Sequence, residues 1–148
     1  MKVGILGAGN ISDTHARAAS AIPGTSIVAV HGGNATRAQR LAATYGATAY
    51  ADLGQFLSHQ PMDVVAIGSP SGLHAEQGIA ACRRGLHVLV EKPIDVTVER
   101  ADALIEAADA AGVALGVSSR ITCSRTWCGF ATPCRLDGSD ARCWSRRA

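Results

Sequence analysis

Residues 2–12 read Lys2-Val3-Gly4-Ile5-Leu6-Gly7-Ala8-Gly9-Asn10-Ile11-Ser12. A short apolar run ends in two glycines spaced by one residue, and a stretch compatible with a helix follows at once. That succession is a strand, a tight turn and a helix start. Gly7 suits the turn, and Gly9 leaves the backbone bare enough for a pyrophosphate to approach. The free amides of the following helix supply the positive end of a dipole. Ser12 stands where a third glycine is usual, and a residue that small still lets the helix pack on the strand. At a first strand-to-helix junction this favours a dinucleotide site over a plain turn.

Outward from this stretch, as far as Val117, apolar runs of about five residues alternate with longer stretches of helical period, the pattern of a parallel sheet covered on both faces. Strands are expected at Val3–Leu6, Ile27–Val30, Val64–Ile67, Val88–Val90 and Val113–Val117, with a weaker one at Thr48–Tyr50. Helices fit Ile11–Ala21, Ala35–Tyr45, Leu53–Ser58, Leu73–Arg84 and Val98–Ala111. Gly46, Gly85 and Gly112 stand where helices stop in a left-handed residue, and Thr97 suits an N-cap. Repeated βα units with right-handed crossovers give an α/β, doubly wound parallel sheet, the Rossmann fold.

The 148 residues, 47% of them hydrophobic, suffice for one domain with a sizeable core. The net charge is only +2, and no run approaches the roughly 18 apolar residues that cross a bilayer. Neither a membrane nor a nucleic acid is implied as a partner. Met1 to Leu6 lacks the features of a secretory signal, so a cytoplasmic protein is expected.

The end of the second strand normally offers a carboxylate for the ribose of NAD or a basic group for the phosphate of NADP. Here it reads His31-Gly32-Gly33-Asn34, with Arg37 a turn later. Arg37 reads equally as a phosphate ligand or as a solvated helix residue, so NAD and NADP both stay open, with a slight lean to NADP. Further on, Gly68-Ser69-Pro70-Ser71-Gly72-Leu73-His74 follows a strand, at the edge where open sheets bind ligands. Pro70 would fix a loop against the cofactor. His74, at a helix start, reads as a site residue or as a hydrogen-bonded structural one.

The strand Leu86-His87-Val88-Leu89-Val90 runs straight into Glu91-Lys92-Pro93. Beside a nicotinamide in a partly desolvated pocket, Lys92 would exchange a proton with a substrate hydroxyl, with Glu91 orienting it. The alternative is an ion pair at a strand end. Cys82, among Ala80, Ala81 and Arg83, reads as a small semi-buried residue.

Gly7-Ala8-Gly9-Asn10-Ile11, Ser69-Pro70 with His74, and Glu91-Lys92-Pro93 together resemble the amino-terminal domain of the Gfo/Idh/MocA oxidoreductases, over about residues 2–120. The resemblance implies NAD or NADP as cofactor and a small-molecule sugar, inositol or related polyol as substrate of the full-length relative. It implies that Lys92 is catalytic at the nicotinamide and that Pro93 shapes the turn beneath it. The expected cofactor-binding set is Gly7, Ala8, Gly9, Asn10, Ile11, Arg37, Ser69, Pro70, His74, Glu91, Lys92 and Pro93; no metal ligand is expected. Family members carry a second α/β domain that forms the substrate pocket, often the subunit interface, and commonly supplies a histidine to the lysine. That domain is expected to be absent here, leaving a homo-oligomer as a possible state and a nucleotide-binding module without turnover as the alternative function.

Composition changes sharply near Arg120. Residues 1–120 carry nine Lys and Arg against ten Asp and Glu, whereas residues 121–148 carry five against two. The latter also hold Cys123, Cys128, Cys134, Cys143 and both tryptophans, without helical or strand period. This segment is expected to be an irregular, non-native tail read out of frame. With GC-rich synonyms, the frame starting at the last base of codon 121 gives HLFADVVRLRDAVQAGRLGRPVLVEA, which has an amphipathic helix, a glycine stop and a strand-like end. The cysteines lack the CxxC pairs of structural zinc sites, and the scattered arginines form no periodic face for nucleic acid. A disulfide framework conflicts with a cytoplasmic chain.

Overall fold

The structure, a computed structural model, describes residues 1–118; the reading of 121–148 lies outside the described residues. In chain order the elements are β1 (Lys2–Leu6), α1 (Asn10–Ser20), β2 (Ser26–His31), α2 (Ala35–Tyr45), β3 (Thr48–Tyr50), α3 (Leu53–Leu57) and β4 (Val64–Ile67). A 3-10 turn (Ser71–Leu73) then leads into α4 (His74–Cys82), β5 (His87–Glu91), α5 (Val98–Ala111) and β6 (Leu115–Ser118). All pairings are parallel and the strand order is β3-β2-β1-β4-β5-β6. This is the doubly wound Rossmann order, whose direction of winding reverses between β1 and β4.

Alternation along the strands divides the core into two layers. Val3 and Ile5 of β1, Val64 and Ala66 of β4 and Leu89 of β5 pack with Ala16 and Ala19 of α1 and Ala38, Leu41 and Ala42 of α2. Leu6, Val65, Ile67, Val88 and Val90 point to the other face. There they meet Phe56 of α3, Ala75, Ala81 and Cys82 of α4, and Leu104 and Ala108 of α5. The helices on both sides are rich in alanine, so they lie close to the sheet. Cys82 is fully buried, and burial pushes its thiol pKa up, as suits a packing residue.

The helix ends follow the sequence signals. Gly46, Gly85 and Gly112 all have positive φ. Asn34, Asp52 and Thr97 accept the N–H groups of Arg37, Gln55 and Arg100 respectively. Most ends fall within one residue of expectation, and two elements differ by more. The helix expected from Leu73 to Arg84 begins at His74 because residues 71–73 wind as a 3-10 turn, and it ends at Cys82. The last strand begins at Leu115, not Val113, because the Val113 N–H is spent on Ala108 O at the end of α5. No described helix is long and apolar enough to cross a membrane.

Candidate functional site

The carboxyl ends of β1 and β4 meet at the reversal point, and the chain there is nearly bare of side chains. Gly7 N–H donates to His31 O (2.7 Å), and Gly68 N–H donates to Leu6 O (2.7 Å). Gly7 has φ +111°, and a Cβ there would lie 2.5 Å from Ser12 Oγ and 2.6 Å from Gly68 O. Only glycine satisfies both demands. Ser12, fully buried, sits over Gly68 with its hydroxyl 3.4 Å from Gly68 O. Its small side chain therefore does the packing that a third glycine would allow.

Gly9 is different in kind. It caps α1 in extended backbone that any residue adopts, with φ −94° and ψ −176°. A Cβ at Gly9 would meet nothing within 4 Å. No described neighbour requires glycine there; what the missing side chain leaves is an open approach to the first amides of an 11-residue helix. Those amides and the helix dipole suit a pyrophosphate. Gly32, at the end of β2, closes the other side of the loop, its would-be Cβ 2.9 Å from Ala8 Cβ.

Glu91 ends β5, two strands from β1 along the same edge. Its Oε2 accepts the Lys92 N–H (3.1 Å) and its Oε1 lies 3.0 Å from His15 Nε2 on α1. Lys92 is exposed, and among the described residues its ammonium pairs with no carboxylate. The Lys92–Pro93 peptide is cis. The edge thus offers a bare glycine cradle over a helix start, with the exposed Lys92 on a turn tied down through its neighbour's carboxylate.

Residues 1–119 match the oxidoreductase family with an NAD-binding Rossmann fold. The chain belongs to the Gfo/Idh/MocA oxidoreductase family. It is 32% identical over 114 residues to 4-carboxy-2-hydroxymuconate-6-semialdehyde dehydrogenase of Sphingobium, which covers 76% of this chain and 36% of that protein. Among solved structures it resembles the WlbA dehydrogenase of Bordetella pertussis in complex with NADH and UDP-GlcNAcA. The TM-score is 0.76 and the identity 31%, over 80% of this chain and 34% of that one. It also resembles a 3-ketoreductase of Actinomadura kijaniata in complex with NADP and TDP-benzene, with TM-score 0.74 and 30% identity over 80% and 37% of the two chains. Further relatives include sugar and inositol dehydrogenases. The chain spans about a third of the length of the curated relatives it matches. The cofactor of this family is NAD or NADP, and the residues present fit such a dinucleotide: the cradle is open where a phosphate needs backbone amides, and closed by glycine where side chains would collide.

The expected site residues fall into three groups. Gly7, Ala8, Gly9, Asn10, Ile11, Ser69, Pro70, Glu91, Lys92 and Pro93 all lie at or just beyond the carboxyl ends of β1, β4 and β5. Arg37 stands apart from them in the first turn of α2, exposed and with no side-chain partner among the described residues. His31, at the end of β2, turns toward β3: its Nδ1 lies 3.0 Å from Tyr50 O and its ring 6.1 Å from that of Phe56.

His74 is buried, and both ring nitrogens are engaged, Nδ1 with Pro93 O (2.9 Å) and Nε2 with Ser69 O (2.8 Å). It bridges the loop after β4 to the turn after β5 and has no nitrogen left for a ligand. Ser69 is held likewise, its hydroxyl donating to Gln77 Oε1 (2.6 Å). Asp95, which no sequence motif flagged, finishes this framework. Its carboxylate accepts the N–H groups of Ala75 (2.8 Å) and Val96 (2.7 Å) and meets Arg100 Nε at 3.2 Å. Burial alone raises its pKa, but those two N–H groups, Arg100 and His74 together outweigh burial and hold it below the ordinary value. Asp95→Ala leaves the buried Ala75 N–H without an acceptor, with an expected loss of about 1–3 kcal/mol in denaturant unfolding.

His15 is the other residue the motifs missed. It is 1% exposed, and burial lowers its pKa despite the opposing charge of Glu91. The unfolded ring takes up a proton near pH 6.5 and the folded ring holds out to lower pH, so folding binds fewer protons in that window. Stability is therefore expected to fall as pH drops below about 6.5. The midpoint of urea unfolding at pH 7.5 and 5.5 checks this, and His15→Leu should shrink the difference.

Proposed function

We propose that residues 1–120 are the cofactor-binding domain of an oxidoreductase that passes a hydride between NAD or NADP and a hydroxyl of a sugar, inositol or related polyol. The observation that carries this reading is the placement of Lys92 on the same sheet edge as the Gly7–Gly9 cradle. A dinucleotide with its pyrophosphate at the start of α1 then has its nicotinamide end within reach of the turn after β5. The group supplies hydride chemistry when bound. Lys92 takes the proton from the substrate hydroxyl or returns it, Pro93 shapes the turn, and Ser69 and Pro70 wall the opposite side. Arg37 would meet the adenosine end, with NADP slightly favoured by the absence of a carboxylate after β2.

A second reading, nucleotide binding without turnover, draws on the exposure of Lys92. Titration with NADH and NADPH followed by a turnover assay with polyols separates the two. Binding with turnover supports the first and binding without turnover the second; folded protein that binds neither nucleotide contradicts both. Such a domain is expected to work in the cytoplasm. Residues 121–148 form a separate, out-of-frame segment in this reading, which the nucleotide sequence around codon 121 tests. Homo-oligomerisation is proposed on the exposure of Leu73 (42%), Val96 (61%) and Val98 (71%) near the site. A well-behaved monomer in size-exclusion chromatography contradicts it.

A further inference from the structure

We propose that His15 is a positioning residue: through Glu91 it ties the turn that carries Lys92 to the helix that holds the cofactor's pyrophosphate. The proposal rests on the reading of Lys92 given above. Three observations support it. Helix α1 starts at the cradle, and one turn after Ser12 touches Gly68 at the end of β4, His15 reaches Glu91 at the end of β5. Glu91 spends its two oxygens on two elements, Oε1 toward His15 (3.0 Å) and Oε2 on the Lys92 N–H (3.1 Å). Finally, packing alone does not explain an imidazole at this position. The ring is 1% exposed, Nδ1 has no hydrogen-bond partner among the described residues, and Nε2 lies 3.0 Å from Glu91 Oε1 without a completed hydrogen bond among those residues. An aliphatic side chain would fill the space without burying unsatisfied nitrogens. What the imidazole adds is a polar contact to Glu91. The cradle and the Lys92 turn are thereby held in one frame, α1 serving as the rigid member between them.

The test uses the 148-residue chain and two ligands, the complete dinucleotide (NADH or NADPH) and ADP-ribose, which lacks the nicotinamide. His15→Leu should leave ADP-ribose affinity unchanged and weaken the complete dinucleotide about tenfold, the scale of one charge-assisted contact. His15→Gln, which keeps an N–H donor, should restore most of the loss. By hydrogen exchange, the Lys92 amide should exchange about tenfold faster in His15→Leu while the amides of Val65 and Leu89 in the core stay as slow as before. If His15→Leu weakens both ligands equally or neither, or if Lys92 exchange is unmoved, the proposal is overturned. If the unaltered chain binds ADP-ribose and the dinucleotide equally well, the placement of the nicotinamide over Lys92 is what fails. Lys92 exchange then still decides the role of His15.

Discussion

Gly9→Val is expected to abolish dinucleotide binding while leaving the fold intact. The substitution tests the cradle because nothing else about Gly9 requires glycine: its φ of −94° is open to valine and a Cβ there would touch no described neighbour. Gly9 makes no side-chain cap bond, so the cost at the helix start should stay within about 1 kcal/mol. The branched side chain would instead fill the approach to the first amides of α1. A pyrophosphate pushed off those donors loses charge-assisted hydrogen bonds of about 1.5–3 kcal/mol each, so affinity should fall at least about 100-fold. Calorimetric titration, with circular dichroism to confirm the fold, reads both halves of the expectation. A valine variant that binds as well as the parent would remove the cradle from the account.

Gly7→Ala is expected to do the opposite first, damaging the fold and losing binding as a result. At φ +111° any side chain is strained, and the added methyl would meet Gly68 backbone atoms at 2.6 and 2.7 Å, which cannot swing aside as a flexible side chain can. Strain and overpacking together should cost roughly 2–5 kcal/mol, a large share of a stability of about 5–15 kcal/mol. Urea unfolding of the two glycine variants therefore separates them: the midpoint moves strongly for Gly7→Ala and little for Gly9→Val. Equal shifts would mean that the two glycines do the same job.

The fold was readable because its signals are local. Strand runs such as Val64–Ile67, left-handed stops at Gly46, Gly85 and Gly112, and the Thr97 cap each depend on a few adjacent residues. The cradle was readable for the same reason, since a strand, two glycines and a helix start are contiguous in the chain. What sequence alone did not reveal depends on contacts between distant segments. His15 acquires its meaning from Glu91, and Asp95 from Ala75 and Arg100, partners that only the packing of β5, α4 and α5 brings together. His74 shows the boundary between the two cases. Its place at a helix start was legible, but its bridge from Ser69 O to Pro93 O appears only once the two loops lie side by side. Lys92 was expected in a partly desolvated pocket, yet it stands exposed on these residues.

A shallow concave surface lies away from the edge that carries the cradle. A groove of about 470 Å³ between α4 and α5, lined by residues including Ala75, Ile79, Arg83 and Ala103, shares no residue with the cradle or the Lys92 turn. The measurement that decides between these places is an amide NMR titration of the chain with NADH and with NADPH. Saturable shifts concentrated at residues 7–12, 32–34, 68–69 and Lys92 are expected. Saturable shifts centred on the α4–α5 groove, or a folded chain whose spectrum neither nucleotide moves, would contradict that expectation.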